Sequence, residues 1–466
     1  MSRLETDASQ ARLTVSRFYS VEEKLSWWLA LSLGLQHLLG MFVGIVTPPL
    51  IVGSQLGLPP RETAYLVSMS LFTSGLTTLL QVHKLGPLGS GLLSVTGPSF
   101  AFVPLAITTG AGGDLGMVFG LALAGAWVPM LVAFSLKAAR RLFPPLVTGI
   151  AITLIGVTLI GVGFSQISGF PGTPGFGSPL NFGLGFLVVA FIVAGQAWGQ
   201  GWLRNTSIAL GLLVGTLVAA AAGRVDFSPV SQAAAFELPY PLRYGLHFNP
   251  VFLVPWLVAY LLVALECIGD LTATSGVSRE PVEGPLFESR LRGGLLADGV
   301  GCIFCSLFCA LPKTTFAQNN GIIALTGVAS RRVGIATGVM LAICGLLPQL
   351  AALISVIPKP VLGGATFLMF STVAAAGLQI AGRGGLSGRN QFILACSLGL
   401  GIGVQGSPAA LEALRTGLLD LGVPAGLGEA LKVLLESGMA MGTLAAAALN
   451  LILPANDEEN EIGAHE

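Results

Sequence analysis

Charge is scarce in this chain: 10% of its 466 residues are charged, and the two signs cancel to a net charge of zero. That balance excludes the basic surface a nucleic-acid partner requires. Histidine is scarcer still, at four residues with no cysteine cluster beside them, so no metal site is expected. No nucleophile stands at motif spacing from a base, which argues against an enzyme. The six cysteines form no disulfide framework. Cys302, Cys305 and Cys309 fall at helical spacing inside GVGCIFCSLFCAL, and Cys267, Cys344 and Cys396 also lie in apolar stretches, so all six read as small buried hydrophobes. Low-complexity segments are missing. The first apolar run is too long for a signal-peptide core and has no clear cleavage site.

Apolar surface is what the chain has in excess. Hydrophobic residues make up 53% of it and mean hydropathy is +0.80, far outside the soluble range. Apolar stretches of roughly 17 to 25 residues recur from Lys24 to Pro454, enough for about fourteen crossings of a bilayer and no separate soluble domain. The 63 glycines suit close helix packing and broken helices. This composition predicts an all-α polytopic membrane protein.

Orientation follows from the 23 basic residues. In a fourteen-span arrangement seven of them, Arg61, Arg224, Arg243, Lys313, Lys359, Arg415 and Lys432, lie on the side away from the N-terminus, and the other sixteen lie on its own side. By the positive-inside rule both termini are cytoplasmic, with the polar segment 1–23 and the acidic tail 455–466 in the cytoplasm.

Two places interrupt the hydrophobic pattern, GPLGSGLLSVTGPSFAFVP at 86–104 and LPKTTFAQNNGIIALTG at 311–327. Matching Ser99 with Ala317 divides the chain into halves of about seven spans. An odd number per half forces the second to enter from the opposite side, so the repeats are inverted. Short, Gly/Pro-broken segments in corresponding places point to a transporter site at the bilayer midplane, because unwound backbone at that depth needs protein or a wet cavity to satisfy its polar groups.

Acidic residues at membrane depth narrow the chemistry. LLVALECIGDLTATSG places Glu266 and Asp270 four residues apart on one helix face, and Asp298, in GGLLADGVG, begins the following span. Each would cost about 2.5–3.5 kcal/mol at the bilayer centre, so they face the interior. Desolvation lets such a carboxyl exchange a proton near neutral pH. Asp270 and Asp298 read equally as ties between broken helices. His37, in GLQHLLG, is either a hydrogen-bonded packing residue or a proton relay.

QNNGIIALTG, residues 318–327, closely resembles the signature of the nucleobase–ascorbate transporters, also called nucleobase–cation symporters type 2. QHLLGMFVGIVTPPLIVG, GSGLLSV, LECIGDLTATSGVSR, LADGVG, TTFAQNNG and VLGGA resemble family blocks in the same order. The resemblance implies fourteen segments in two inverted seven-segment repeats. It also implies short broken third and tenth segments that cross as antiparallel strands around the substrate. It divides the chain into a core (24–135, segments 1–4, and 249–354, segments 8–11) and a gate (136–248, segments 5–7, and 355–454, segments 12–14), in a homodimer. For the site it implies substrate binding by Glu266, Gln318, Ser99, Phe100 and the Ala317 backbone, with Asn319 orienting them. It links Glu266, Asp270 and Asp298 to proton coupling, a role His37 would share.

TTFA with QNN resembles the xanthine and uric acid members, whereas uracil members carry Glu and ascorbate members Pro at the first signature position. Gly327 stands where some relatives have Arg or Lys, and Ser99 where some xanthine carriers have Asn. The expectation is a proton-coupled symporter that imports xanthine, uric acid or both across the cytoplasmic (inner) membrane by elevator-type alternating access, with the proton as coupling ion and no cofactor. The alternatives are a carrier of another nucleobase (uracil, guanine or hypoxanthine) and an anion exchanger of the same fold.

Overall fold

The computed structural model describes residues 18–136, 144–169, 175–199, 202–382, 385–421, 435 and 437–454. Residues 1–17 of the expected N-terminal segment and the whole acidic tail 455–466 lie outside the described residues.

Helices dominate. In the first half they are α1 (Trp27–Gln55), α2 (Pro60–Val82), α3 (Phe102–Thr109), α4 (Leu115–Gly125), α5 (Val128–Phe134), α6 (Pro145–Ser168), α7 (Pro179–Trp198) and α8 (Trp202–Ala221), with strand β1 (Thr96–Pro98) ahead of α3. The second half has α9 (Leu253–Val277), α10 (Gly284–Leu307), strand β2 (Lys313–Thr315), α11 (Ala317–Thr326), α12 (Arg331–Gly345), α13 (Pro348–Ser355), α14 (Lys359–Ala381), α15 (Gly388–Gln405), α16 (Pro408–Asp420) and α17 (Gly438–Ile452). Among the described residues seven helical spans are long and apolar enough to cross a membrane, or eight if α12 and α13, bent by 78°, count as one. The other helices are too short, broken or charged to qualify on length and hydropathy.

Starts and stops follow local chemistry. Ser26 caps α1 by accepting from the Leu29 N–H, and proline opens α2, α6, α7, α13 and α14 within the first turn, where its missing N–H costs nothing. α10 begins well before its apolar run. Its first turns carry Glu288, Arg290 and Arg292, and buried Arg290 is held at 2.8 Å by Glu280. Asp298 therefore lies deep within this helix and does not begin it, which corrects the sequence expectation. The cause is the Gly284–Pro285 start, which the hydropathy pattern does not mark.

Small residues set how the helices pack. Gly149, Gly156 and Gly163 of α6 recur every seven residues and face Ala381, Ala374 and Phe367 of α14, which recur at the same interval in the opposite direction. A β-carbon at any of the three would run into the α14 backbone, so the two helices lie along each other at close range. The same device joins α2 to α12, where Gly75 meets Gly338 and Ala342, and Gly345 meets Phe72. The apolar interior divides in two: one part is centred on α3, α4, α6 and α9, the other on α1, α12 and the facing side of α14.

Lys313 corrects the orientation count. It is 2% exposed and belongs to β2, so it is no loop cation on either face. Cys302 and Cys305 are buried in α10 and Cys309 just beyond it, all unbridged.

Candidate substrate-binding site

The two interruptions of the hydrophobic pattern meet. β1 and β2 pair antiparallel, with Thr96 opposite Thr315, Gly97 opposite Thr314 and Pro98 opposite Lys313. Backbone bonds extend the ribbon at both ends: Phe316 N–H donates to Val95 O at 3.0 Å, and Ser99 N–H donates to Pro312 O at 3.0 Å. Ser99 N–H is thereby taken into the ladder. Glycine at 97 is needed because the Phe316 ring lies across it, leaving no space for a β-carbon. Gly44 of α1 bounds the same ring on another side.

Hydroxyls of α2 anchor β1. Thr96 Oγ1 lies 2.6 Å from Thr77 Oγ1 and 3.2 Å from Thr78 Oγ1, and Thr96 N–H donates to Thr78 Oγ1 at 3.0 Å. The buried acids anchor β2. Thr314 Oγ1 donates to Asp298 at 3.0 Å, and Thr315 Oγ1 donates to Asp270 at 3.3 Å. Gln81 of α2 donates to the other Asp298 oxygen at 2.8 Å and to Gly294 O at 2.9 Å. Asp298 thus ties α2, α10 and β2 together.

The signature amides divide by role. Asn319 accepts at Oδ1 from His37 Nδ1 at 2.8 Å and donates to Leu93 O at 2.7 Å, bridging α1 and the segment before β1. Asn320 accepts from Thr274 Oγ1 at 2.6 Å and donates to Asp270 O at 3.3 Å, fastening α11 to α9. Both are buried. Gln318 and Ala317, in the first turn of α11, are exposed, and Glu266 of α9 is half-buried. Among the described residues neither the Gln318 carboxamide nor the Glu266 carboxyl has a hydrogen-bond partner. At the far end of the signature, Gly327 takes the left-handed φ of 68° that ends α11, and Tyr19 N–H donates to its carbonyl at 2.8 Å.

Phe100 follows β1 and presents its ring edge-on to Phe370 of α14, centroids 5.2 Å apart at 83°. The residues that sequence reasoning missed are Gln81, Thr77, Thr78, Thr274 and Lys313. A signal existed for α2: Ser70, Ser74, Thr77, Thr78 and Gln81 recur at three- and four-residue spacing, a polar stripe along an otherwise crossing helix. Among the described residues no three His, Cys, Asp or Glu side chains are grouped to hold a metal ion.

The sequence model described as the permease family matches residues 29–409. The chain belongs to the nucleobase–ascorbate transporter family. It is 40% identical over 451 residues to the xanthine permease XanP of Escherichia coli K12, covering 94% of each chain. It is 37% identical over 490 residues to the uric acid-xanthine permease of Emericella nidulans, covering 96% of this chain and 84% of that one. Its fold is similar to that of the murine anion transporter Slc26a9 in the inward-facing state, with a TM-score of 0.55 at 13% identity over 93% of this chain and 72% of the other. A member of this permease family is an integral membrane transporter and not an enzyme.

Proposed function

We propose that this protein imports xanthine, uric acid or both across the cytoplasmic membrane, driven by protons. One contrast supports this reading. Around the paired strands Asn319, Asn320, Asp270, Asp298 and Gln81 are all satisfied by protein, while Glu266 and Gln318 are left without partners. An exposed carboxamide and a half-buried carboxyl that no protein group engages are open to a ligand. A purine dione presents alternating N–H donors and C=O acceptors. A carboxamide offers a donor and an acceptor in one plane, and a carboxylate accepts N–H, so the two free side chains match the edge of such a base. In this reading Phe100, which follows β1, supplies an aromatic face for the ring. Ser99 contributes through its place in the ladder, and Ala317 through its exposed backbone.

Coupling belongs to the same proposal. Glu266 is the carboxyl that takes and releases the proton, while Asp270 and Asp298 hold the ribbon. His37 enters through its bond to Asn319. Fourteen segments in two inverted repeats complete the architecture: each half contributes seven, counting β1 with α3, α4 with α5, β2 with α11, α12 with α13 and α15 with α16. Transport then proceeds by movement of a core (24–135 and 249–354) against a gate (136–248 and 355–454), in a homodimer with both termini in the cytoplasm. The Phe100–Phe370 contact lies on that seam.

The test is uptake of labelled xanthine into vesicles containing the purified protein under an imposed proton gradient, with uric acid, uracil, hypoxanthine and bicarbonate as competitors. Xanthine and uric acid should compete, and dissipating the gradient should stop accumulation. Glu266→Gln should abolish uptake while the protein still inserts. Wild-type uptake with unchanged pH dependence in that variant removes Glu266 from coupling, and competition by bicarbonate alone would favour an anion exchanger.

A further inference from the structure

Away from the ribbon, on the face that carries Arg61 and Arg243, the protein holds a cavity of about 450 Å³. That size lies within the roughly 300–1,000 Å³ typical of small-molecule sites. Arg61, Tyr65 and Ser68 of α2 form one wall, Pro348 at the start of α13 a second, and Glu237 and Arg243, from the segment between α8 and α9, a third. The remaining lining is proline, alanine, glycine and methionine. No residue of β1, β2 or α11 lines it, and neither does Glu266.

Its polar groups divide into engaged and free. Arg243 donates to Glu62 at 2.8 Å and stacks on the Tyr65 ring at 4.2 Å, Tyr244 O–H donates to the other Glu62 oxygen, and Tyr65 O–H donates to Tyr240 O at 2.8 Å. Arg61, by contrast, has no partner among the described residues, and neither has the hydroxyl of Ser68, a residue only 4% exposed. Two helices also begin here, α2 at Pro60 and α13 at Pro348, and neither is capped by a side chain. An uncapped N-terminus presents free N–H groups and about half a positive charge. Glu62 cancels Arg243 and Glu237 offsets Arg61, so the two helix ends leave the cavity positive on balance.

We propose that this cavity is a second ligand site, for a planar organic monoanion that also carries N–H groups. The negative group meets Arg61 and the helix ends, Ser68 supplies a hydrogen bond at depth, and Glu237 accepts an N–H. Urate has this chemistry, whereas xanthine at neutral pH is largely uncharged. Naming a purine rests on the transport reading above, while the anion site stands on its lining alone.

The test places a thiol in the cavity wall of the full-length protein. Ala234→Cys, on the exposed segment over the cavity, is alkylated with an uncharged polyethylene-glycol maleimide, and the unsubstituted protein gives the background. Saturating urate should slow the reaction several-fold, and sulfate at equal ionic strength should not. Arg61→Gln should raise the half-protecting urate concentration about tenfold or more, because a hydrogen bond to a charged group is lost. Gln318→Glu should leave that concentration unchanged, since the ribbon is elsewhere. No slowing by urate overturns the proposal, as does slowing that Arg61→Gln leaves intact. Equal slowing by sulfate means an adventitious ion only, and protection lost in Gln318→Glu means that the thiol reports the ribbon; both also overturn it. If Ala234→Cys does not fold, calorimetric titration with urate decides: one binding step fewer in Arg61→Gln than in the wild type supports the site, and the same number overturns it. Xanthine uptake by the wild type tests the transport reading separately.

Discussion

Between Gly86 and Thr109 the chain breaks with glycine, proline and hydroxyl residues, whereas between Leu311 and Gly327 it breaks with amides and a lysine. The two segments pair strand to strand, yet they contribute differently. β1 is shaped to admit its partner: Gly97 yields to the Phe316 ring, Thr96 is absorbed by the two hydroxyls of Thr77 and Thr78 on α2, and Ser99 N–H closes the ladder. The second segment carries the side chains that reach elsewhere, with Asn319 to α1, Asn320 to α9, Lys313 to α2 and Gln318 to no protein partner among the described residues. Positional symmetry between repeats therefore leaves one segment to serve as scaffold and the other to bear the chemistry.

Gly97→Ala attacks the scaffold side and should have the largest effect. The new methyl must displace the Phe316 ring, which Gly44 already confines, and overpacking of this kind costs about 1–3 kcal/mol. Melting temperature and xanthine binding should both fall, and Gly97→Ala with Phe316→Ala should recover part of the melting temperature. An unchanged melting temperature in the single variant would show that the ring is free to move.

Gln318→Glu attacks the chemical side without touching the ribbon. Losing a ligand hydrogen bond and leaving its partner unpaired in the complex costs about 1–3 kcal/mol, or roughly five- to 150-fold in affinity. A protonated Glu can donate again, so calorimetry at two pH values should show a smaller defect at the lower one. Equal affinity at both, matching the wild type, would mean that Gln318 does not read the base.

Asn319→Ala should slow turnover more than it weakens binding, because it unties α1 from α11 and leaves Leu93 O without its donor. A large loss of affinity with turnover intact would move Asn319 from scaffold to substrate contact. Ser99→Ala should have the smallest effect, because the hydroxyl accepts a single long bond, 3.4 Å from Ala101 N–H, and the ladder uses the backbone. Binding should stay within about a few tenths of a kcal/mol of wild type. A larger loss would place the hydroxyl against the ligand.

The break points, the acidic pair on α9 and the amide run of the signature were all legible in the sequence, because an apolar chain makes each polar residue conspicuous. Gln81 and the hydroxyls of α2 were legible in principle through their spacing, but they lie in a helix that scans as an ordinary span. The heptad of glycines in α6 is equally plain once α14 is seen to need it. Lys313 was misplaced for a specific reason: counting cations by alternating sides assumes that basic residues stay in loops, and this one follows a proline at the start of a strand inside the fold.

Composition by itself determined that the chain lies in a membrane, because so much apolar surface has no other stable solvent. The order of its polar interruptions determined where the backbone must break. Which polar groups are consumed by the protein and which are left free was decided by the tertiary structure alone. Asn319, Asn320 and Gln318 are three consecutive amides with the same chemistry in the sequence. They differ because helix geometry turns Asn319 toward His37 and Leu93 and Asn320 toward Thr274, and Gln318 away from any partner among the described residues.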